Sequence, residues 1–505
     1  MLVEDTQKEV RTNNDEPTNI LIEGDNYHAL SVLNYTHARS IDVIYIDPPY
    51  NTGNDDFKYN DKFVDQEDNY RHSKWLSFMS KRLRLAKQLL KNTGVIFISI
   101  DDNELAQLKL LCDEIFLEQN FIAIISWQRA YSPKNQSKKI SKDIEYILCY
   151  SINSDFTDFA LLPRTDKMNS RYKNPDKDPR GVWKPGDLVA NEERKHGHYI
   201  IVGPKGDKFN SPKGKHWSFA KDTMLELQKD NRLYFGKDGK AIPSLKQFLS
   251  EVQQGRKAST LFHHEEAGHN DEAKKELKDF FKQSDDLFQT PKPTRLIKQL
   301  IRLSIAKNPV ILDFFAGSGT TGQAVLALNS EDNGKRRFIL CTNNENNICT
   351  EVCYPRIKKV IQGYKTTKGE KVKGLGSNLK YYQTRFVGSE PTHRNKKLLT
   401  EKSIEMLCIK ENTFDEVLNK KDISIFKNRE RFTAILFDEI KLEDFKYEIR
   451  KLSKPVSVYV FSLEGDDFSE EFEDFEGDIT LCSIPEAILK VYRRIYGTSR
   501  GKRSI

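Results

Sequence analysis

The chain has 505 residues, 37% of them hydrophobic, enough to fill several cores and to predict about three domains. Eighty-one Lys and Arg against 74 Asp and Glu leave a net charge of +7, which permits a nucleic-acid partner without requiring one. No apolar run reaches the roughly 18 residues of a helical membrane span, and the polar amino-terminal stretch lacks the apolar core of a secretory signal. The seven cysteines are scattered, and Cys349 and Cys353 have no second pair at metal-ligand spacing. Neither a disulfide framework nor a metal site is expected, and the setting expected is a reducing cytoplasm.

In chain order, the first 150 residues alternate strand and helix. Ile20, Leu21 and Ile22 form a short apolar run that ends at Gly24-Asp25, and a helix is expected around 28–33. Residues 41–46 (IDVIYI) are rich in β-branched side chains and stop abruptly at Asp47-Pro48-Pro49, as a strand entering a loop does. Trp75, Leu76, Met79, Leu83, Ala86 and Leu90 recur at helical spacing, with Gly94 expected to cap that helix before a strand at 95–100. Asp101-Asp102 is expected to open the next helix, and 144–150 to form a further strand. This alternation predicts an α/β fold with a doubly wound, mostly parallel sheet over 1–154.

Between 155 and 285 the periodicity fades. Glycine turns at Gly206, Gly214 and Gly239 are flanked by lysines, and Trp183, Tyr199, Trp217, Tyr234 and Phe235 are interleaved with basic residues. The segment reads as an inserted module. Alternation returns over 286–365, with a helix at 294–304, a strand at 310–312, a helix at 321–328, a strand at 337–341 and a helix at 351–361. On this count the sheet is complete by 365. A Lys/Gly-rich linker at 366–377 then leads into a separate α+β segment, within 366–505, with strands at 433–437 and 456–461 and an acidic run at 464–478.

Two motifs carry chemistry. Asp47-Pro48-Pro49-Tyr50 ends a strand. The exocyclic amine of a base is a poor nucleophile because its lone pair is delocalised into the ring. A site that methylates it must hold its hydrogens with acceptors. The Asp47 carboxylate is one acceptor, and the carbonyl of Pro48, in a loop stiffened by Pro49, is a second. Tyr50 offers a flat face for an extruded base. The same residues also read as a Pro-Pro turn with Asp47 capping it and Tyr50 packing locally.

The second motif, Asp313-Phe314-Phe315-Ala316-Gly317-Ser318-Gly319-Thr320, joins a strand to a helix. Gly317 and Gly319 let the backbone approach a ligand, and the helix start can face a carboxylate. It lacks the Gly-Lys ending of a nucleotide phosphate loop and the third glycine of a dinucleotide fingerprint. By itself it also reads as a tight turn without a ligand. Two strand ends, each suited to one half of a methyl transfer, weigh more together than either alone.

The pair resembles the amino-methyltransferases of DNA. The order, amine motif first, then a long insert, then the glycine loop, is that of their β class, a circular permutation of the class I S-adenosylmethionine-dependent fold. Residues 21–30 (LIEGDNYHAL), 41–61 (IDVIYIDPPYNTGNDDFKYND), 290–301 (TPKPTRLIKQLI), 313–329 (DFFAGSGTTGQAVLALN) and 342–357 (TNNENNICTEVCYPRI) are similar to the modification subunit of type III restriction-modification systems. The resemblance spans 20–365, with an echo at 378–387.

It implies that Asp47, Pro48, Pro49 and Tyr50 hold an adenine flipped from double-stranded DNA. It implies that Asp313 to Thr320, with Phe315, Gly317 and Gly319 foremost, bind S-adenosylmethionine. Residues 290–294, Pro291 among them, are implied on the cofactor side. Glu345 is implied as the ribose-binding acid, and Asp25 as a cofactor contact or a helix cap. The insert is implied to recognise the target sequence, and 366–505 to assemble a homodimer that docks a helicase-nuclease restriction subunit. Alternatives are a solitary or type II adenine methyltransferase, and a catalytically silent DNA-binding specificity subunit. The Asp at the first position of the amine motif favours adenine over cytosine.

Overall fold

A computed structural model describes residues 1–13, 16–53, 58–59, 62–63, 68–132, 139–191, 197–281, 290–385, 393–461, 468–473, 475, 477–482, 484 and 488. Residues 54–57 and 60–61 of the similar segment, and 464–467, 474 and 476 of the acidic run, lie outside them. Two compact units form, one of Met1–Ala160 with Ser259–Ile505 and one of Leu161–Ala258.

The larger unit is built on β1 (Leu2–Glu4), β2 (Thr18–Glu23), α1 (Asn26–Thr36), β3 (Ile41–Ile46), α2 (Arg71–Leu89), β4 (Leu90–Ile100), α3 (Leu105–Phe116), β5 (Phe121–Gln128) and β6 (Ile144–Ser151). After the smaller unit come β7 (Leu261–Phe262), α4 (Asn270–Phe280), α5 (Thr294–Arg302), β8 (Val310–Asp313), α6 (Thr320–Asp332), β9 (Arg337–Thr342), α7 (Tyr354–Gln362) and β10 (Asn378–Thr384). The ten strands form one sheet in the order β1-β10-β2-β9-β8-β3-β4-β6-β5-β7. From β10 to β4 every neighbour is parallel, and β6 runs antiparallel between β4 and β5.

Side chains alternate between the faces, as a pleated strand requires. Ile339 and Cys341 of β9 join the core shared with α1, α2 and α3. Phe338 and Leu340 instead reach Gly322 of α6, where Ile357 of α7 also arrives. Covered on both faces, β3 is buried along its whole length, which accounts for its mostly apolar run; its one charged residue, Asp42, is held by Lys91 at 2.7 Å and the Val310 N–H at 2.9 Å. The sheet winds outward in both directions from β8 and β3, so the carboxyl ends of these neighbours flank the topological switch point. They carry Asp313 and Asp47. The doubly wound α/β sheet expected is present.

Several local expectations are corrected. Asn92, Thr93 and Gly94 do not end a helix, because β4 runs through them. A Cβ on Gly94 would lie 2.9 Å from the Lys91 carbonyl, and the register against β3 shifts there. The turn residues thus make an irregular strand start rather than a cap. The next helix begins at Leu105, because Asp101 spends its carboxylate on the backbone N–H and side chain of Asn103. The sheet is not complete by 365. Asn378–Thr384 inserts between β1 and β2, in parallel register with β2 from Thr18↔Asn378 to Glu23↔Gln383.

The insert is shorter than 155–285. Residues 259–281 belong to the sheet unit, and α4 buries Ala273, Leu277 and Phe280 along one helical stripe that its charged residues obscured. The smaller unit has a core of Leu188, Ile201, Trp217, Met224, Leu233 and Phe235. Its aromatics are therefore mostly structural: Trp183, Trp217 and Phe235 are buried, while Lys205, Lys213, Lys215, Lys237 and Lys240 on the glycine turns are exposed.

Beyond β10 lie α8 (His393–Glu411), β11 (Asp415–Asn419), β12 (Ile423–Lys427), β13 (Phe432–Leu436), α9 (Leu442–Ile449), β14 (Val456–Val460) and β15 (Ile479–Leu481). The five strands form a sheet in sequence order. β14 is buried on both faces over Val456–Tyr459. Val456 and Val458 pack towards Phe445 and Phe472, and Tyr459 enters the main core. No helix among the described residues is long and apolar enough to cross a membrane.

Candidate active site

The abrupt end of β3 delivers Asp47 to a loop whose two prolines restrict it. The Pro49 carbonyl accepts from the Trp75 indole N–H at 2.8 Å, tying the loop to α2. Asn51, two residues on, has φ +57° and donates to the Glu104 carboxylate at 2.5 Å. Glu104 also meets His72 Nδ1 at 2.6 Å, and burial raises its carboxyl pKa above the usual range. Asp47 receives Lys292 Nζ at 2.9 and 2.8 Å on its two oxygens. The Tyr50 hydroxyl lies 2.9 Å from Asp47 Oδ1 and 3.1 Å from Glu145 Oε2. Burial pushes the Asp47 carboxyl above its ordinary pKa, against the pull of Lys292. Burial works against the Lys292 ammonium too, but the Asp47 and Glu145 carboxylates outweigh it and raise its pKa.

The glycine loop follows β8. Asp313 accepts from the Phe315 N–H at 3.0 Å and from the Thr321 hydroxyl at 2.5 Å, bracing both ends of the turn. Burial pushes its carboxyl up to about 7. Gly317 and Gly319 take φ +49° and +81°, the left-handed region where a side chain is disfavoured. The Ala316 N–H bonds the Cys341 carbonyl of β9 at 3.1 Å, and the Gly319 N–H bonds the Ala316 carbonyl at 2.8 Å. Phe314 and Ala316 are buried, while Phe315 and Gly317 stay partly open. Ser318 and Thr320 point inward to Arg356, whose Nη1 donates to the Ser318 hydroxyl at 3.0 Å and the Thr320 hydroxyl at 2.9 Å. Burial lowers the Arg356 pKa to about 10, so it is charged at neutral pH.

Asp25 caps α1 through the Tyr27 N–H at 2.9 Å and pairs with Arg82 at 3.0 Å. Arg82 also bonds Asn26, which donates to the Phe314 carbonyl at 2.9 Å. Asp25 is thus tied to the glycine loop through two side chains. Glu345 lies exposed on a single turn beyond β9, with Asn346 and Asn347 at positive φ. Pro291 is buried beside Lys292.

The structure thus brings Asp47, Tyr50, Asp313 and residues 290–294 to one sheet edge. Sequence reasoning passed over Lys292, Glu145 and Arg356. Each left a signal: a lysine between two prolines, a glutamate inside an apolar strand, and an arginine on the buried stripe of α7.

The N6/N4 DNA methylase family model matches residues 41–353. The chain is 37% identical over 421 residues to the type III restriction-modification enzyme StyLTI Mod subunit of Salmonella typhimurium, covering 76% of this chain and 63% of that one. It is 32% identical over 399 residues to the EcoP15I Mod subunit of Escherichia coli, covering 67% and 60%. The type II methyltransferase M.KpnI of Klebsiella pneumoniae is 34% identical over 355 residues, covering 66% of this chain and 82% of that one. The chain therefore spans about three fifths of the Mod subunits that it matches. With the amine motif and the glycine loop side by side at the switch point, the chain belongs to the N6/N4 DNA methylase family.

Proposed function

We propose that the chain transfers a methyl group from S-adenosylmethionine to the N6 amine of adenine in double-stranded DNA. The observation that carries this is the adjacency of Asp47 and the glycine loop at the ends of β3 and β8. The loop suits the cofactor in two respects. Gly317 and Gly319, both at positive φ, fold the loop into a tight turn, and Gly317 stays partly open to a ligand while Gly319 packs closely against Cys353. Its inward-facing Ser318 and Thr320 hydroxyls are held by Arg356, which fixes the loop from behind. Asp313 to Thr320 would hold the cofactor, with Pro291, Asp25 and Glu345 nearby in the assignment. When bound, S-adenosylmethionine supplies an electrophilic methyl group.

The remaining work falls to the chain. Asp47 accepts an amine hydrogen, and the Pro48 carbonyl accepts the other. The amine lone pair is then turned out of the ring system. Tyr50 packs against the extruded base, its hydroxyl anchored on Asp47 and Glu145. The resemblance to Mod subunits supports a modification and specificity subunit of a type III system. In that reading Leu161–Ala258 reads the sequence through its basic turns. Residues 366–505 support a homodimer and a restriction partner. The expected cellular site is the cytoplasm.

The test is labelled S-adenosylmethionine with unmethylated DNA, followed by nucleoside analysis. N6-methyladenine supports the proposal, and N4-methylcytosine overturns the choice of base. M.KpnI, covered over 82% of its length, favours a second reading as a type II methyltransferase. Co-purification with a helicase-nuclease subunit decides between them.

A further inference from the structure

The cluster around Asp47 holds two buried charged groups that methyl transfer does not itself call for. Lys292 is 7% exposed and Glu145 5%. Lys292 stands between Pro291 and Pro293, whose rings restrict the backbone there, so its side chain extends from a stiff base. Its three ammonium protons meet three oxygens: Asp47 Oδ1 at 2.9 Å, Asp47 Oδ2 at 2.8 Å and Glu145 Oε2 at 3.3 Å. The Tyr50 hydroxyl, with one proton to donate, lies 2.9 Å from Asp47 Oδ1 and 3.1 Å from Glu145 Oε2. Glu145 Oε1 is held by Arg129 at 3.1 Å.

An ionised carboxylate has about four acceptor sites. Oδ1 of Asp47 meets two donors, and Oδ2 meets one. We propose that Lys292 and Glu145 are positioning residues that turn the Asp47 carboxylate so that one acceptor site on Oδ2 stays open for the amine of the target base. This rests on the reading of Asp47 as the amine acceptor.

The charge balance gives the inference a signature. The groups facing Asp47 are Lys292, Glu145, Tyr50, Tyr45 of β3 and Asp313 of β8, and Asp101 lies within the field of Glu145. Of these only Lys292 is cationic, while Arg129 serves Glu145. Without Lys292, the buried Glu145 and half-buried Asp47 carboxylates would share one site without a cation between them and would bind a proton nearer neutral pH. A protonated Asp47 donates where the amine needs an acceptor. A purely structural ion pair would lose activity evenly across pH.

The experiment is the pH dependence of single-turnover methyl transfer by the full chain, for wild type, K292M, K292R, E145Q and the K292M/E145Q double variant, each checked for folding by circular dichroism. The acid limb of K292M should rise by about one pH unit or more. K292R should keep the wild-type limb, and E145Q should pull the limb of K292M back down. A limb unmoved in K292M, no relief in the double variant, or a folded K292M inactive at every pH overturns the proposal. If K292M does not fold, E145Q alone decides: its limb should fall, because Lys292 then serves Asp47 only, and an unmoved limb overturns the proposal. Absence of transfer by the wild type would instead refute the functional reading.

Discussion

Gly319→Ala isolates what the glycine loop contributes. At φ +81° an alanine costs about 1–2 kcal/mol relative to glycine. The new Cβ would also lie 3.1 Å from Cys353 Sγ and 3.5 Å from Ile357 Cδ1, a mild overpacking worth about 1 kcal/mol. The sum is about 2–3 kcal/mol, by the same two principles. If the loop escapes this strain by moving, the loss appears in cofactor binding, about tenfold for each 1.4 kcal/mol. Gly322→Ala is the matched control. Its Cβ would lie 2.6 Å from Ile357 Cδ1 and 3.0 Å from Leu340 Cδ1. Gly322 lies inside α6, so alanine recovers about 1 kcal/mol of helix propensity against an overpacking cost of about 1–3 kcal/mol. Calorimetry with S-adenosylmethionine and thermal unfolding of both variants give the comparison. We expect both to lower Tm, and only Gly319→Ala to weaken binding by more than tenfold. Wild-type affinity in Gly319→Ala, or equal losses in both, would refute the reasoning.

Asp47→Ala should abolish methyl transfer while S-adenosylmethionine still binds, and retention of half the turnover in a radiolabel assay would remove Asp47 from the reaction. Asp313→Asn should be tolerated. The wild-type carboxyl, pushed up to about 7, takes up a proton on folding between its ordinary range and pH 7, so wild-type stability falls as pH rises through that window and levels off above it. The asparagine should lose that slope in urea unfolding at about pH 5 and pH 8. Exchanging Leu161–Ala258 with the segment of a relative should change the methylated sequence read by long-read sequencing. A chain cut at 368 should be insoluble, because it lacks β10, whereas one cut at 385 keeps the full ten-stranded sheet. Because Leu407, Ile435 and Tyr459 also fill the main core, light scattering of the full chain at micromolar concentration, monomer against dimer, is the test of assembly.

The parts of the site that were legible owe this to local causes. Ile41–Ile46 announces a strand because every residue is buried, and its end is marked by prolines. The glycine loop is legible because only glycine tolerates its backbone. Lys292, Glu145 and Arg356 were missed because their roles are set by partners far away in the chain. Residues 378–384 carry no local strand signal as clear as β3, because Asn378, Lys380 and Gln383 interrupt their apolar positions, yet 378–382 are buried in the sheet. Asn92-Thr93-Gly94 misled for the opposite reason: its turn chemistry is real, but the sheet overrides it.

The position of β10 has a consequence for how the protein is made. Strands β1 and β2 flank a place that Asn378–Thr384 must fill. Residues near the amino terminus therefore leave the ribosome well before the strand that joins them. At about 5–20 residues per second, the wait lasts on the order of 20–80 s. Over that interval β2 has an unfilled edge, the kind of surface that recruits other strands. A nascent chain with this layout stands to gain from a holding chaperone, or from slow concentration-limited expression, until its last sheet strand emerges.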